Sequence, residues 1–220
     1  MRLPFLVRGA EKELAAGRAI EARVSAGVPF EGRGAALGPA LERYRRALGL
    51  ARRGSAVWVE AAFRLGSLLA GENSVRDVER AIPLLEAVVG TVEGYHPAYY
   101  YLGEAYVLSR QFDRAEEVWR RGLALDPTRR EVRDVLARLP LDRVRDAARR
   151  SDHGAVVAAV ERVPAAERSA EAWVCYGDAL AALGRVAEAG QAWRRALSLE
   201  PLKGMRQRFR SVGLPPPRDD

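Results

Sequence analysis

Two histidines, His96 and His153, and one cysteine, Cys175, are the whole stock of imidazole and thiol in this 220-residue chain. An imidazole could act as a general base or a metal ligand and a thiolate as a nucleophile, but each needs a partner at a defined spacing. His96 stands beside Pro97, and His153 between Asp152 and Gly154, which are turn-type neighbours. Neither has a second ligand within helical reach, and the chain contains no Cys-Cys or His-Glu-x-x-His spacing that would hold zinc. Cys175 falls in the middle of a helical stretch with no base nearby, where an inert, partly buried thiol is the expectation. No G-x-x-x-x-G-K-[ST] phosphate loop occurs. No catalytic residue, metal ligand or cofactor site is expected, and an enzyme is not what these residues compose.

The remaining reactive chemistry is that of binding. Lysine and arginine number 36 against 29 acids, a net charge of +7, and all but Lys12 and Lys203 of the basic residues are arginine. Eight arginines crowd 129–150 against Glu131, Asp134, Asp142 and Asp146, and Lys203, Arg206, Arg208 and Arg210 crowd the C-terminal stretch. Guanidinium groups are good phosphate ligands, so Arg143, Arg145, Arg149, Arg150, Arg206 and Arg210 are candidates for a surface that takes nucleic acid, an anionic membrane or an acidic protein. The competing expectation is a solvated helical face laced with pairs such as Asp142–Arg145 and Asp146 with Arg149 or Arg150. Aromatic residues that would stack bases do not interleave with these arginines, which favours the solvated face.

The elements that position these residues are written as a repeat. His96 to Arg129 recurs in outline from Ala170 to Lys203. In each copy an aromatic, Tyr99 or Trp173, is followed by Leu102 or Tyr176 and then Gly103 or Gly177. Ala115 or Ala189 comes twelve residues after the glycine, with Trp119 or Trp193 four later and Pro127 or Pro201 at the end. The spacings of three and four put Tyr99, Leu102 and Tyr106 on one helical face and Ala115, Trp119 and Gly122 on another. The small residues mark where two antiparallel helices approach closely, and Tyr99, Tyr106 and Trp119 where a neighbouring repeat would cover them. Asp126-Pro127 ends the second helix, since proline lacks the N–H that would continue it. This order of residues resembles the tetratricopeptide repeat.

Less regular copies flank these two. Gly66, with Ala81, Leu85 and Val88, marks a repeat over 56–92 whose turn carries extra residues. Residues 130–166 form a degenerate repeat without the Leu-Gly step, with segments at 131–139, 141–151 and 154–163 ending at Pro164, and a turn at 150–154. An atypical N-terminal unit over 11–53 joins a helix at 11–27 to one carrying Ala40, Tyr44 and Ala47 through a long glycine-rich loop. Met205, Phe209 and Val212 make a capping helix over 203–212, before an irregular tail at 214–220. The expected fold is an all-α, right-handed superhelical solenoid of four to five helix-turn-helix hairpins, one domain over 1–213.

The resemblance implies a concave groove lined by the first helix of each hairpin and taking extended peptides or helices. Carried onto this chain, it points to Phe63, Arg64 and Ser67, to Tyr100, Tyr101, Glu104 and Leu108, and to Val174, Cys175 and Asp178. The subclass that grips acidic chaperone tails uses Lys and Asn at such positions, whereas Tyr100, Glu104, Val174 and Asp178 stand here. The expected partner is therefore a protein or peptide with apolar and basic side chains, and the expected role a non-enzymatic adaptor or assembly subunit. The alternative is an arginine-dependent binder of nucleic acid or an anionic surface. The apolar run before Arg8 is too short for a signal-peptide core and no stretch has transmembrane length, so a cytoplasmic protein is expected.

Overall fold

The computed structural model describes residues 4–28, 33–71 and 77–216. Expectations that touch 1–3, 29–32, 72–76 and 217–220, namely parts of the N-terminal apolar run, the glycine-rich loop, the lengthened turn and the tail, lie outside the described residues. The described residues form an all-α repeat solenoid, with no strand among them.

Where the sequence suggests one domain over 1–213, the contacts divide the chain into two compact units, Met1–Leu136 and Ala137–Asp220. The first contains α1 (Pro4–Gly27), a short α2 (Arg33–Ala36), α3 (Gly38–Leu50), α4 (Ala56–Ala70), α5 (Val78–Thr91), α6 (His96–Leu108) and α7 (Phe112–Leu125). Helix α8 (Arg130–Arg149) contains the division, and α9 (His153–Glu161), α10 (Ala170–Ala182), α11 (Val186–Leu199) and α12 (Met205–Ser211) follow. Helix α1 starts seven residues before the expected 11. The expected segments 131–139 and 141–151 are one helix that runs through Pro140 and ends at Arg149.

Local chemistry sets the boundaries. Ser55, Asp77, Asp152 and Ser169 each accept a backbone N–H three residues on, capping α4, α5, α9 and α10. Asp126 closes α7 by accepting from the Thr128 N–H (3.1 Å) and hydroxyl (2.6 Å) and from Arg129 Nε (3.1 Å).

Helix pairs α1/α3, α4/α5, α6/α7 and α10/α11 pack as hairpins, each on a glycine set against one large side chain. A Cβ at Gly103 would land inside the indole of Trp119, and one at Gly177 inside that of Trp193. Trp119 thus sits first over its own hairpin, where Nε1 donates to the Tyr100 carbonyl at 3.2 Å, rather than waiting for a neighbouring repeat to cover it. In α4/α5 the pair is Gly66 and Leu85, 2.8 Å from where a Cβ would lie, and in α1/α3 it is Gly17 and Tyr44 at 2.5 Å. In the second unit, Met205 and Phe209 of α12 close the end of α11, with the Phe209 ring 5.3 Å from that of Trp193.

Candidate partner-binding groove

In the first unit, α4 packs against α1 and α6, the first helices of their hairpins. An aromatic cluster joins α4 to α6. Phe63 is 8% exposed and lies under Tyr95 and Tyr101, with ring centres 5.0 and 5.8 Å away. Tyr100 meets Tyr101 edge-on at 5.2 Å. Phe63 is therefore floor rather than exposed lining, and Tyr101 is half spent on the preceding hairpin. Tyr100, Glu104 and Leu108 are half-buried on α6.

Polar groups beside this cluster form a network. Arg64 donates through Nε to Glu60 at 3.1 Å and through a terminal nitrogen to Glu21 at 3.3 Å. Glu21 also accepts from the Tyr44 hydroxyl at 2.6 Å, and Glu60 from that of Tyr95 at 3.5 Å. Burial works against the Arg64 charge, but Glu21 and Glu60 outweigh it and its pKa is raised. Burial first, then the hydrogen bond and charge of Glu21, push the Tyr44 phenol far up. The Ser67 hydroxyl donates to the Arg64 carbonyl within its own helix at 3.1 Å. An opening of about 270 Å³ lies beside the network, lined by Arg18, Glu21, Ala22, Ser25 and Arg64.

In the second unit, Val174 packs on the cluster around Trp193 and Phe209, while Cys175 packs on that of Val144, Ala147, Val156 and Val160. Burial, then Glu171 and Asp178, raises the Cys175 thiol pKa, which opposes the thiolate form. Asp178 is fully engaged: it accepts from Trp193 Nε1 at 3.0 Å and from Arg208 of α12 at 2.7 and 3.1 Å.

Two of the six arginines of the expected basic surface, Arg145 and Arg150, meet carboxylates. Arg145 makes a two-pronged pair with Glu171 at 2.7 and 2.6 Å instead of with Asp142, which takes Arg138 at 3.3 Å. Asp146, 7% exposed, pairs with Arg150 at 3.1 Å rather than with Arg149. Arg143 is half-buried, whereas Arg149, Arg206 and Arg210 are exposed. Among the described residues no three His, Cys, Asp or Glu side chains are grouped to hold a metal ion, and no helix is long and apolar enough to cross a membrane.

Several partners in these networks carry no mark in the repeat pattern. Glu21 and Glu60 are linked to Arg64 by folding alone, Glu21 from 43 residues away. Tyr95 precedes the repeat frame as the N-cap of α6. Gly17 was findable in principle, since a small residue had to face Tyr44.

Models of the tetratricopeptide repeat match residues 74–139 and, in a second form, 170–203. Among solved structures, the chain is similar to the MamA protein (18% identity, 94% of this chain and 100% of that one, TM-score 0.47). It is also similar to the P58(IPK) TPR domain (17%, 92% and 54%, TM-score 0.48). A third is TTC0263, a thermophilic TPR protein of Thermus thermophilus (23%, 92% and 98%, TM-score 0.41). No curated protein sequence matches the chain. The two matched segments contain the glycine–indole hairpins Gly103/Trp119 and Gly177/Trp193, and over these segments the chain carries tetratricopeptide repeats.

Proposed function

We propose that the chain is a non-enzymatic adaptor or assembly subunit that holds a protein segment along α4 and α6. The tetratricopeptide repeats matched at 74–139 and 170–203 support protein–protein interaction in general. The observation that supports this particular face is the aromatic cluster of Phe63, Tyr95, Tyr101 and Tyr100. It presents partly exposed ring edges with Glu104 one residue past the packing glycine. Tyrosines in such a setting offer large contact area with few rotors to freeze. Such a face suits a partner with apolar and basic side chains. Arg64 and Ser67 act within it as scaffold, because their polar groups are spent inside the chain. In the second unit, Val174 packs on the cluster around Trp193 and Asp178 is held by Arg208. The anionic-surface alternative is the weaker reading, since Arg145 and Arg150 already face carboxylates.

The test is affinity purification with the full chain as bait, comparing wild type with Tyr100→Ala combined with Glu104→Arg. The proposal expects protein partners to be lost while the melting temperature changes little. Partners that persist through these changes but vanish with Arg143→Glu and Arg149→Glu would overturn it. Tyr101→Ala is a poorer probe because it also opens a hole over Phe63.

A further inference from the structure

Where arginines are densest in sequence, the fold neutralises them. Arg129, Arg130, Arg138, Arg145 and Arg150 each face a carboxylate. At one end of the α1/α3 hairpin the opposite holds. Arg8, Arg46, Arg52 and Arg53 are exposed, and among the described residues none faces a carboxylate.

These four residues lie at the same end of the hairpin. Leu50, the last residue of α3, lies against Gly9, where a Cβ would sit 3.5 Å from its Cδ1, so Arg8 emerges beside the end of α3. Arg46 stands about one turn before Leu50, and Arg52 and Arg53 follow the C-cap residue Ala51. Of the acids of the hairpin, Glu42 takes Arg45, Glu13 takes Arg43 at 3.0 Å and Glu21 takes Arg64 at 3.3 Å, while Glu11, one turn after Arg8, is exposed and leaves this end net positive. Gly54 approaches Thr91 of α5, but Glu93, two residues further on, turns to Arg121 at 3.4 Å. The guanidinium of Arg53 lies over the Trp58 ring, 5.8 Å from its centre, which limits its freedom before any partner arrives.

We infer that this end of the N-terminal hairpin is a docking surface for an acidic polypeptide segment, one with several closely spaced Asp or Glu side chains. Charge complementarity carries the assignment. The surface is confined to one helix end and a turn, which matches a few carboxylates rather than the long track of phosphates on a duplex. The ring that could stack a base, Trp58, is covered by Arg53. The chain also shows the geometry a carboxylate would adopt, in the two-pronged pairs Arg145–Glu171 and Arg185–Glu188. This surface is independent of the α4/α6 groove.

The experiment measures binding of a fluorescein-labelled oligo-glutamate peptide to the full chain by anisotropy at low and moderate salt. The Arg46→Glu, Arg52→Glu, Arg53→Glu variant is compared with Arg149→Glu, Arg195→Glu, Arg210→Glu, which removes the same charge at other exposed sites. The expected result is a loss of about tenfold or more for the first set and about twofold or less for the second. Circular dichroism melts confirm that both sets fold, and the milder Arg→Gln triple keeps the comparison valid if the reversals do not. Equal losses for the two sets would show a general charge effect and overturn the inference. It would be overturned equally if a single-stranded oligonucleotide or phosphatidylserine vesicles bound the same arginines more tightly than the peptide.

Discussion

At Arg110 the backbone takes φ 61°, a left-handed conformation that the equivalent residue of the sister repeat, Gly184 at φ 77°, adopts without a side chain to hinder it. A side chain there costs about 1–2 kcal/mol, whereas glycine costs only about 0.4–1 kcal/mol through the freedom it gives the unfolded chain. Arg110→Gly should therefore stabilise the protein by about 0.5–1 kcal/mol, read as a higher denaturant midpoint at unchanged slope. A second residue-scale consequence concerns acid. The hydrogen bond from Arg145 chiefly, against some desolvation, holds the Glu171 carboxyl below its usual range. A group depressed in the folded state contributes stability that is present above its unfolded pKa, near 4.5, and is lost as pH falls through the folded value. Arg145→Met should remove that contribution and flatten the fall in stability below about pH 4.5. Both partners are largely solvated, so the difference between the two curves should be modest.

The element that sets the fold is the hairpin packed on one glycine, and its tolerance depends on what faces that glycine. Gly103 meets a rigid, fully buried indole, whereas Gly66 meets the flexible Leu85 side chain. Gly103→Ala should cost about 1–3 kcal/mol by overpacking and Gly66→Ala clearly less, as thermal or chemical denaturation would measure. Trp119→Ala and Trp193→Ala should each cost about 3–5 kcal/mol, because both rings are buried on all sides. Equal effects at the two glycines would mean that the backbone, not the ring, limits the approach.

The same feature explains what could be read in advance. Gly103/Trp119 and Gly177/Trp193 keep a fixed spacing and announce their hairpins. Gly17/Tyr44 does not, because the long connection between α1 and α3 separates the partners by 27 residues instead of 16. The candidate groove was legible as positions on helices but not as interactions. Whether Arg64 and Asp178 are free or engaged depends on Glu21 and Arg208, which lie 43 and 30 residues away and reach them only through the packing of other helices. The exposed arginines beside α3 escaped the sequence for the converse reason: density of charge is visible there, but neutralisation is not.

On the scale of the molecule, stability is distributed over two units and is uneven within them. Helix α9 has nine residues and lacks the pairing of a glycine with one large side chain that fastens the other hairpins, while α6 and α7 have both length and pair. Native-state hydrogen exchange should show α9 opening at lower free energy than α7, and uniform protection along the chain would contradict this. The placement of the tryptophans has an optical consequence. Each unit contains one fully buried indole, Trp119 in the first and Trp193 in the second, and the two differ in electrostatic setting. Trp119 donates to a neutral carbonyl and Trp193 to the carboxylate of Asp178, so their emission maxima need not coincide. With the half-buried Trp58 and Trp173 changed to Phe, the remaining pair becomes a built-in two-colour gauge. Each indole shifts to the red only when its own unit admits water, so the order in which the halves let go can be followed by fluorescence without attaching a dye.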